Sequence, residues 1–201
     1  MTIATYDELK TAIADFLNRD DLTSVIPTFI ALAEAQLDRD IRHWRQEKRV
    51  TTTLNEQYEN LPSDFLELVS LTVDGNIRLE LISTAEMQVK KAVSTAAGRP
   101  RYFRMTAGQI EFYPLPDTSY SMSMEYFAKT PALSASASDN WILVHAADAY
   151  LYGALLHAAP YLKDDARVQV WSALYLAAIE ALKKQSEAAK FSGPLKMRVS
   201  R

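Results

Sequence analysis

The sequence predicts an α+β fold: an interrupted four-helix bundle that carries an inserted β-rich subdomain and ends in an extended C-terminal tail. Three observations predict it. Apolar residues recur at helical spacing near both ends of the chain, over 1–47 and 139–187. Between 48 and 131 the period falls to two, and turn dipeptides punctuate the segments. Beyond Glu187 no helical period remains.

The first helix opens on Thr5 and Glu8, whose spacing is that of a capping box. Tyr6, Leu9, Ile13, Phe16 and Leu17 follow at helical intervals, and Asn18-Arg-Asp-Asp21 breaks the pattern. A second helix starts close to Pro27, because a missing N–H is harmless in a first turn. Its apolar positions are Phe29, Ile30, Ala33, Leu37, Ile41 and Trp44.

In the inserted block, Val50–Leu54 and Tyr58–Leu61 read as short strands paired around Asn55-Glu-Gln57. Leu68–Val73 and Ile77–Ile82 flank Asp74-Gly75, the strongest short-range hairpin signal. Ser83 and Glu86 form a second capping box, opening a short helix that fades by Gly98. Tyr102–Met105 and Gln109–Tyr113 flank Ala107-Gly108. Tyr120, Met122, Met124 and Tyr126 then alternate with polar residues, as in a strand with one wet face.

Residues 132–138, "ALSASAS", have the composition of a flexible linker. Asp139 or Asn140 is placed to cap a central helix that Pro160 should end, and Asp164 to cap the last helix. There Val168, Trp171, Tyr175, Ala178 and Leu182 make a bundle-like seam. The central segment, Trp141–Tyr161, has the length of a membrane span. However, Asp148 at a bilayer centre would cost about 2.5–3.5 kcal/mol, and the predicted role is a buried helix, not a membrane anchor.

Composition narrows the chemistry. A chain of 201 residues suits one large domain or one domain with an insertion. Its net charge of −3 gives no global attraction to nucleic acid or membranes. It contains no cysteine, which excludes disulfides, thiol catalysis and cysteine-ligated metals. Its first ten residues lack the basic and apolar run of a secretion signal, so folding in the cytosol is expected. No cofactor or metal is expected.

Asp64, Glu67 and Asp74 invite a glycosidase reading, since such enzymes work with paired carboxylates. Asp74 nevertheless belongs to a turn, Asp64 follows Pro62-Ser63 as a cap or turn residue would, and Glu67 sits at a strand start. His145 and His157 lie twelve positions apart, about 120° out of register on one helix, so they cannot share a metal. His145 and Asp148 could pair, but no motif places a nucleophile beside them. Together with His43, these histidines read as buried polar partners within the bundle. The sequence Ser138-Asp139-Asn140 matches one β-lactamase box, yet the companion boxes are missing, which leaves a helix cap.

Two features point to contacts with other molecules. Arg39, Arg42, Arg45, Lys48 and Arg49 form a basic ridge at the end of the second helix, interrupted by Asp38, Asp40 and Glu47. Such a ridge is either a solvated face or a surface for a neighbouring subunit or passing DNA. The tail, 188–201, has four basic residues and no acid. In it Leu195, Met197 and Val199 alternate with Lys196, Arg198 and Ser200, and Phe191 precedes them. Either this is a plain unstructured terminus, or the tail is disordered in the free subunit and docks on assembly as an extended segment on the portal or an adjacent subunit, which is the expectation here.

Several stretches carry a resemblance: "ATYDELKTAIADFLNRDDL", "IPTFIALAEAQLDRDIR", "YENLPSDFLELVSLTVDG", "GRPRYFRMTAGQIEFYPLPD", "YFAKTPALS" and "NWILVHAADAYLYGALLHAAPYLKDDARVQVW". In this order and spacing the chain resembles the adaptor, or head-to-tail connector, proteins of short-tailed phages and related prophages. The resemblance runs to about Arg198. It implies a helical core with a β-rich excursion and a homo-oligomeric ring, typically a dodecamer. That ring would sit in the virion beneath the portal protein, where a tail or nozzle protein attaches and the genome DNA passes. It implies no catalysis and assembly in the host cytoplasm. The competing expectations are a glycan-cleaving hydrolase dependent on Glu67 or Asp64, and a monomeric binding module.

Overall fold

The computed structural model describes residues 3–75, 77–162 and 165–190. Among them are six α-helices and eight strands in two sheets, an α+β fold. The chain divides into two compact units. One holds the described residues up to Arg45 and from Thr130 onward, and the other is Gln46–Lys129.

The helical unit contains α1 (Tyr6–Leu17), α2 (Ile26–Asp40), α4 (Trp141–His145), α5 (Ala147–Leu162) and α6 (Asp165–Lys190). The capping box of α1 forms as its spacing predicts. The Glu8 amide donates to Thr5 Oγ1 at 3.3 Å, and the Glu8 carboxylate accepts from the Thr5 amide at 3.1 Å. Helix α5 packs against α1, α2, α4 and α6, and its buried side chains are mostly small. Small residues allow close approach. A Cβ built on Gly153 would stand 3.2 Å from Ala33 Cβ and 3.3 Å from Tyr175 Cε2. The surrounding core joins Leu9, Ile13, Ile30, Leu37, Tyr150, Leu155, Tyr175 and Leu182.

Three expectations about these helices change. The central segment is two helices: Asn140 caps α4, and Ala146, at φ −153° and ψ 57°, separates α4 from α5. Pro160 lies inside α5, which continues to Leu162; a proline removes one hydrogen bond without always ending a helix. Helix α6 runs past Glu187 to Lys190. Asp164 lies outside the described residues.

The segment with linker composition is held at both ends. Leu133 is buried and its amide donates to Glu34 at 2.7 Å, and the Tyr6 amide donates to the Ser138 carbonyl at 2.7 Å.

The β unit contains β1 (Glu47–Leu54), β2 (Tyr58–Asn60), β3 (Phe65–Val73), β4 (Ile77–Arg78), β5 (Glu80–Leu81), α3 (Thr84–Val93), β6 (Tyr102–Thr106), β7 (Gln109–Tyr113) and β8 (Tyr120–Ala128). One sheet has the order β1-β8-β3-β4, the other β2-β7-β6-β5. Apolar side chains from both sheets, including Leu54, Leu71, Phe103, Phe112, Met122, Met124 and Tyr126, form one core.

The Asp74-Gly75 turn is where its dipeptide predicts. Val73 pairs with Ile77, and Asp74 and Gly75 have φ of 50° and 82°. The β6–β7 hairpin closes across Ala107-Gly108, with Gly108 at φ 84°. The expected pairing of Val50–Leu54 with Tyr58–Leu61 does not occur. β1 pairs β8 and β2 pairs β7, so the two lie in different sheets. β8 is also wetter in prediction than in fact: flanked by β1 and β3, it buries Ser123 as well as its apolar residues.

Candidate functional site

The three carboxylates once eligible for catalysis are placed on structural duties. Asp64 accepts from Lys48 Nζ at 2.5 Å and from the Tyr126 hydroxyl at 2.9 Å. The Lys48 hydrogen bond, opposed by partial burial and aided by Tyr126, holds the Asp64 pKa below its ordinary value. Burial, and then the Asp64 carboxylate, push the Tyr126 hydroxyl up to about 12. Asp74 sits in the turn and pairs with Arg99. Glu67 is exposed on β3, in register with Phe127 of β8.

The strongest carboxylate site is one that the sequence does not announce. Glu111 on β7 is fully buried and accepts from Lys91, Arg104, the Tyr58 hydroxyl at 2.9 Å and Gln57 Nε2 at 3.2 Å. Burial works to raise its pKa. The hydrogen bonds from Lys91, Arg104 and Tyr58 outweigh that and hold it below the usual carboxylate range. Alternation in Gln109-Ile-Glu-Phe-Tyr113 gave no hint, because Glu111 reads as a solvent-facing position. This cluster joins α3, β2, β6 and β7, and its chemistry is that of a fully paired anchor.

The histidines are not a group. His43 is buried, stacks on Trp141 with centroids 4.8 Å apart, and accepts from the Arg45 amide at Nδ1 at 3.2 Å. Burial, with Arg45 nearby, keeps it below its ordinary pKa. His145 ends α4 and, with Asp148, is exposed; neither is the buried bundle partner expected. His157 is half-buried on α5. Among the described residues no group of three His, Asp or Glu is placed to hold a metal ion. No described helix is long and apolar enough to cross a membrane.

The basic ridge does not lie on one helix. α2 ends at Asp40, Ile41 turns extended, and Trp44–Gln46 form a 3₁₀ turn. Arg39 is therefore the last ridge residue on α2. Arg42 is half-buried and Nη1 donates to the Asp38 and Ile41 carbonyls, both at 2.7 Å, closing the helix end. Arg45 stacks its guanidinium 4.7 Å over the Trp44 ring. Lys48 and Arg49 belong to β1 in the other unit, where Arg49 Nε donates to Ser123 Oγ at 2.9 Å. Helical periodicity carried through Trp44 hid this change of element. Phe191, Leu195, Lys196, Met197, Arg198 and Val199 lie outside the described residues.

Within this α+β fold, Glu8 and Glu86 serve helix caps, Asp74 a turn, and Asp64 and Glu111 ion pairs. The sequence pattern of the SU10 adaptor protein family matches residues 4–198, and the chain belongs to that family of phage adaptor proteins. Membership gives it a structural role as a component of the virion that meets portal and tail proteins. No curated protein matches the chain.

Proposed function

We propose that the chain is a head-to-tail adaptor that forms a ring under the portal, joins it to the tail or nozzle protein, and continues the channel for DNA. The observation that carries this reading is the family match over residues 4–198, nearly the whole chain. In this reading α1, α2, α5 and α6 are an interrupted four-helix bundle, the β unit is its insertion, and the ring is a dodecamer assembled in the host cytoplasm.

The physical features support it. A closed ring needs two different, complementary faces on each subunit. Exposed apolar side chains occur in both units: Phe16, Leu32, Val170 and Leu176 among the helices, and Val69, Leu81 and Met105 among the strands. Of the ridge residues, Arg39, Arg45, Lys48 and Arg49 are exposed and suit a subunit interface or a channel wall that meets phosphates without reading bases. The tail from Phe191 to Val199 supplies a partner contact.

Co-sedimentation of the purified chain with its portal tests the linkage. The expected result is a stable complex at sub-micromolar concentration. Separate sedimentation of the two proteins at all concentrations would overturn it.

A further inference from the structure

Two helices of the helical unit leave apolar faces uncovered, and the two faces share one pattern. α2 buries Ile26, Phe29, Ile30, Ala33 and Leu37. Its opposite side carries Thr28, Ala31, Leu32, Ala35 and Arg39, all exposed, with Leu32 at 45%. α6 buries Tyr175, Ala178, Ile179 and Leu182. Its opposite side carries Val170, Ala173, Leu174, Ala177 and Ala181, again exposed, with Val170 at 54% and Leu174 at 37%. Both runs advance by the same steps from their first residue to their last, the steps of a single helical face. Large apolar side chains gathered on one exposed face mark a contact surface. The alanines beside them let another helix come close.

α2 and α6 run in the same direction. Along α2, Phe29 meets the Tyr161 ring of α5, Ala33 stands beside Gly153, and Glu34 lies 3.5 Å from the Tyr150 hydroxyl. Along α6, Trp171 stacks on Tyr152, and further on Ala178 and Leu182 share a hollow with His145 and Ala146. Both helices are therefore antiparallel to α5 and parallel to each other. Neighbours in a ring of many subunits differ by a small rotation, so α2 of one copy would meet α6 of the next nearly parallel. In that alignment the two runs lie level, with Ala35 beside Ala177. Arg39 then stands on the flank of α2 that adjoins the flank of α6 carrying Glu180. Both side chains are exposed, and among the described residues neither forms an ion pair.

We propose that the exposed face of α2 in one copy packs in parallel on the exposed face of α6 in a second copy, with Arg39 and Glu180 paired across the contact. The opposite charges set the register, and Leu32, Val170 and Leu174 leave water. The two faces belong to different helices of one chain, which is what a head-to-tail contact within a ring demands. The inference rests on the ring-forming reading and supplies its subunit contact.

The chain has no cysteine, so introduced thiols report unambiguously. The full-length protein carrying both Ala35→Cys and Ala177→Cys is treated with a short bismaleimide, alone and with its portal added. A control pairs Ala35→Cys with Val144→Cys, an exposed position on α4. Docking holds the two thiols at an effective concentration of about a millimolar, so the expected result is a ladder of inter-chain products about tenfold above the control. Yields equal to the control would overturn the contact. A dimer formed as readily by Ala177→Cys alone would place α6 against α6 and overturn it too. Charge exchange adds a second reading. Arg39→Glu or Glu180→Arg should each lower the ring yield about tenfold, and the two changes together should restore it. No recovery in the double variant would overturn the pairing of these residues. Electron microscopy of the untreated parent separates the two readings: rings without cross-links sink only this inference, and absence of rings alone and on the portal sinks the ring reading.

Discussion

The Tyr175 hydroxyl donates to Asp40 Oδ2 at 2.9 Å, tying the middle of α6 to the last residue of α2 across 135 positions of sequence. Burial, and then the Asp40 carboxylate, push the phenol pKa up, so the hydroxyl stays a donor across the working pH range. Tyr175→Phe keeps the ring in its place beside Gly153 and removes only this bond. It should lower unfolding free energy by about 1.5 kcal/mol, the lower end for a bond to a charged acceptor. Denaturant unfolding followed by helical circular dichroism checks it; an unchanged midpoint would show that the bond contributes nothing.

Gly153 itself gives a second expectation. Ala33 and Tyr175 already crowd the space that a side chain would fill. Gly153→Leu should cost about 1–3 kcal/mol through overpacking, despite leucine's better helix propensity. A thermal midpoint equal to that of the parent would mean that α2 and α6 can withdraw freely.

Gly75→Val tests the separation between the units. Gly75 has φ 82°, a conformation that a β-branched residue adopts only with strain, so the β3–β4 turn should lose about 1 kcal/mol or more. The helical unit has its own core and should keep its circular dichroism. Loss of the helical signal at the same denaturant concentration would contradict that independence.

The ridge residues should not behave alike. Arg42→Glu puts a carboxylate against the Asp38 and Ile41 carbonyls at the negative end of α2, and should cost about 1–2 kcal/mol. Arg39→Glu and Arg45→Glu, at exposed positions, should stay within about 0.5 kcal/mol of the parent. Differential scanning calorimetry of the three variants decides; equal shifts would refute the capping role.

Asp64 gives a pH dependence. Its folded pKa lies below its ordinary value, so the unfolded chain binds the proton more tightly. The stability it contributes is present above the unfolded pKa, about 3.9, and is lost as pH falls through the lower folded pKa. Asp64→Asn should therefore flatten part of the acid limb of a stability profile and leave no extra slope near neutrality. An unchanged acid limb would show that Lys48 and Tyr126 do not bias this carboxyl.

What the sequence displayed depended on how local each signal is. Both capping boxes and the Asp74-Gly75 turn involve residues within four positions of one another, and each stands where its letters place it. The partners of β1 and β2 were not legible, because β1 meets a strand some 70 residues away and alternation says nothing of which strand is opposite. Pro160 reads as a stop, yet the packed helix tolerates one missing hydrogen bond. Glu111 could not be found, because its burial depends on Lys91 and Arg104 arriving from two other elements. The family pattern was legible because it is spread over the whole chain, in segments that are individually weak.

The central claim is that copies of this chain close into a ring on the portal. Electron microscopy of the purified protein, alone and mixed with its portal, measures it most directly. The account predicts closed rings or portals capped by an added ring with a continuous central opening. Monomers under both conditions, with bare portals, would contradict it.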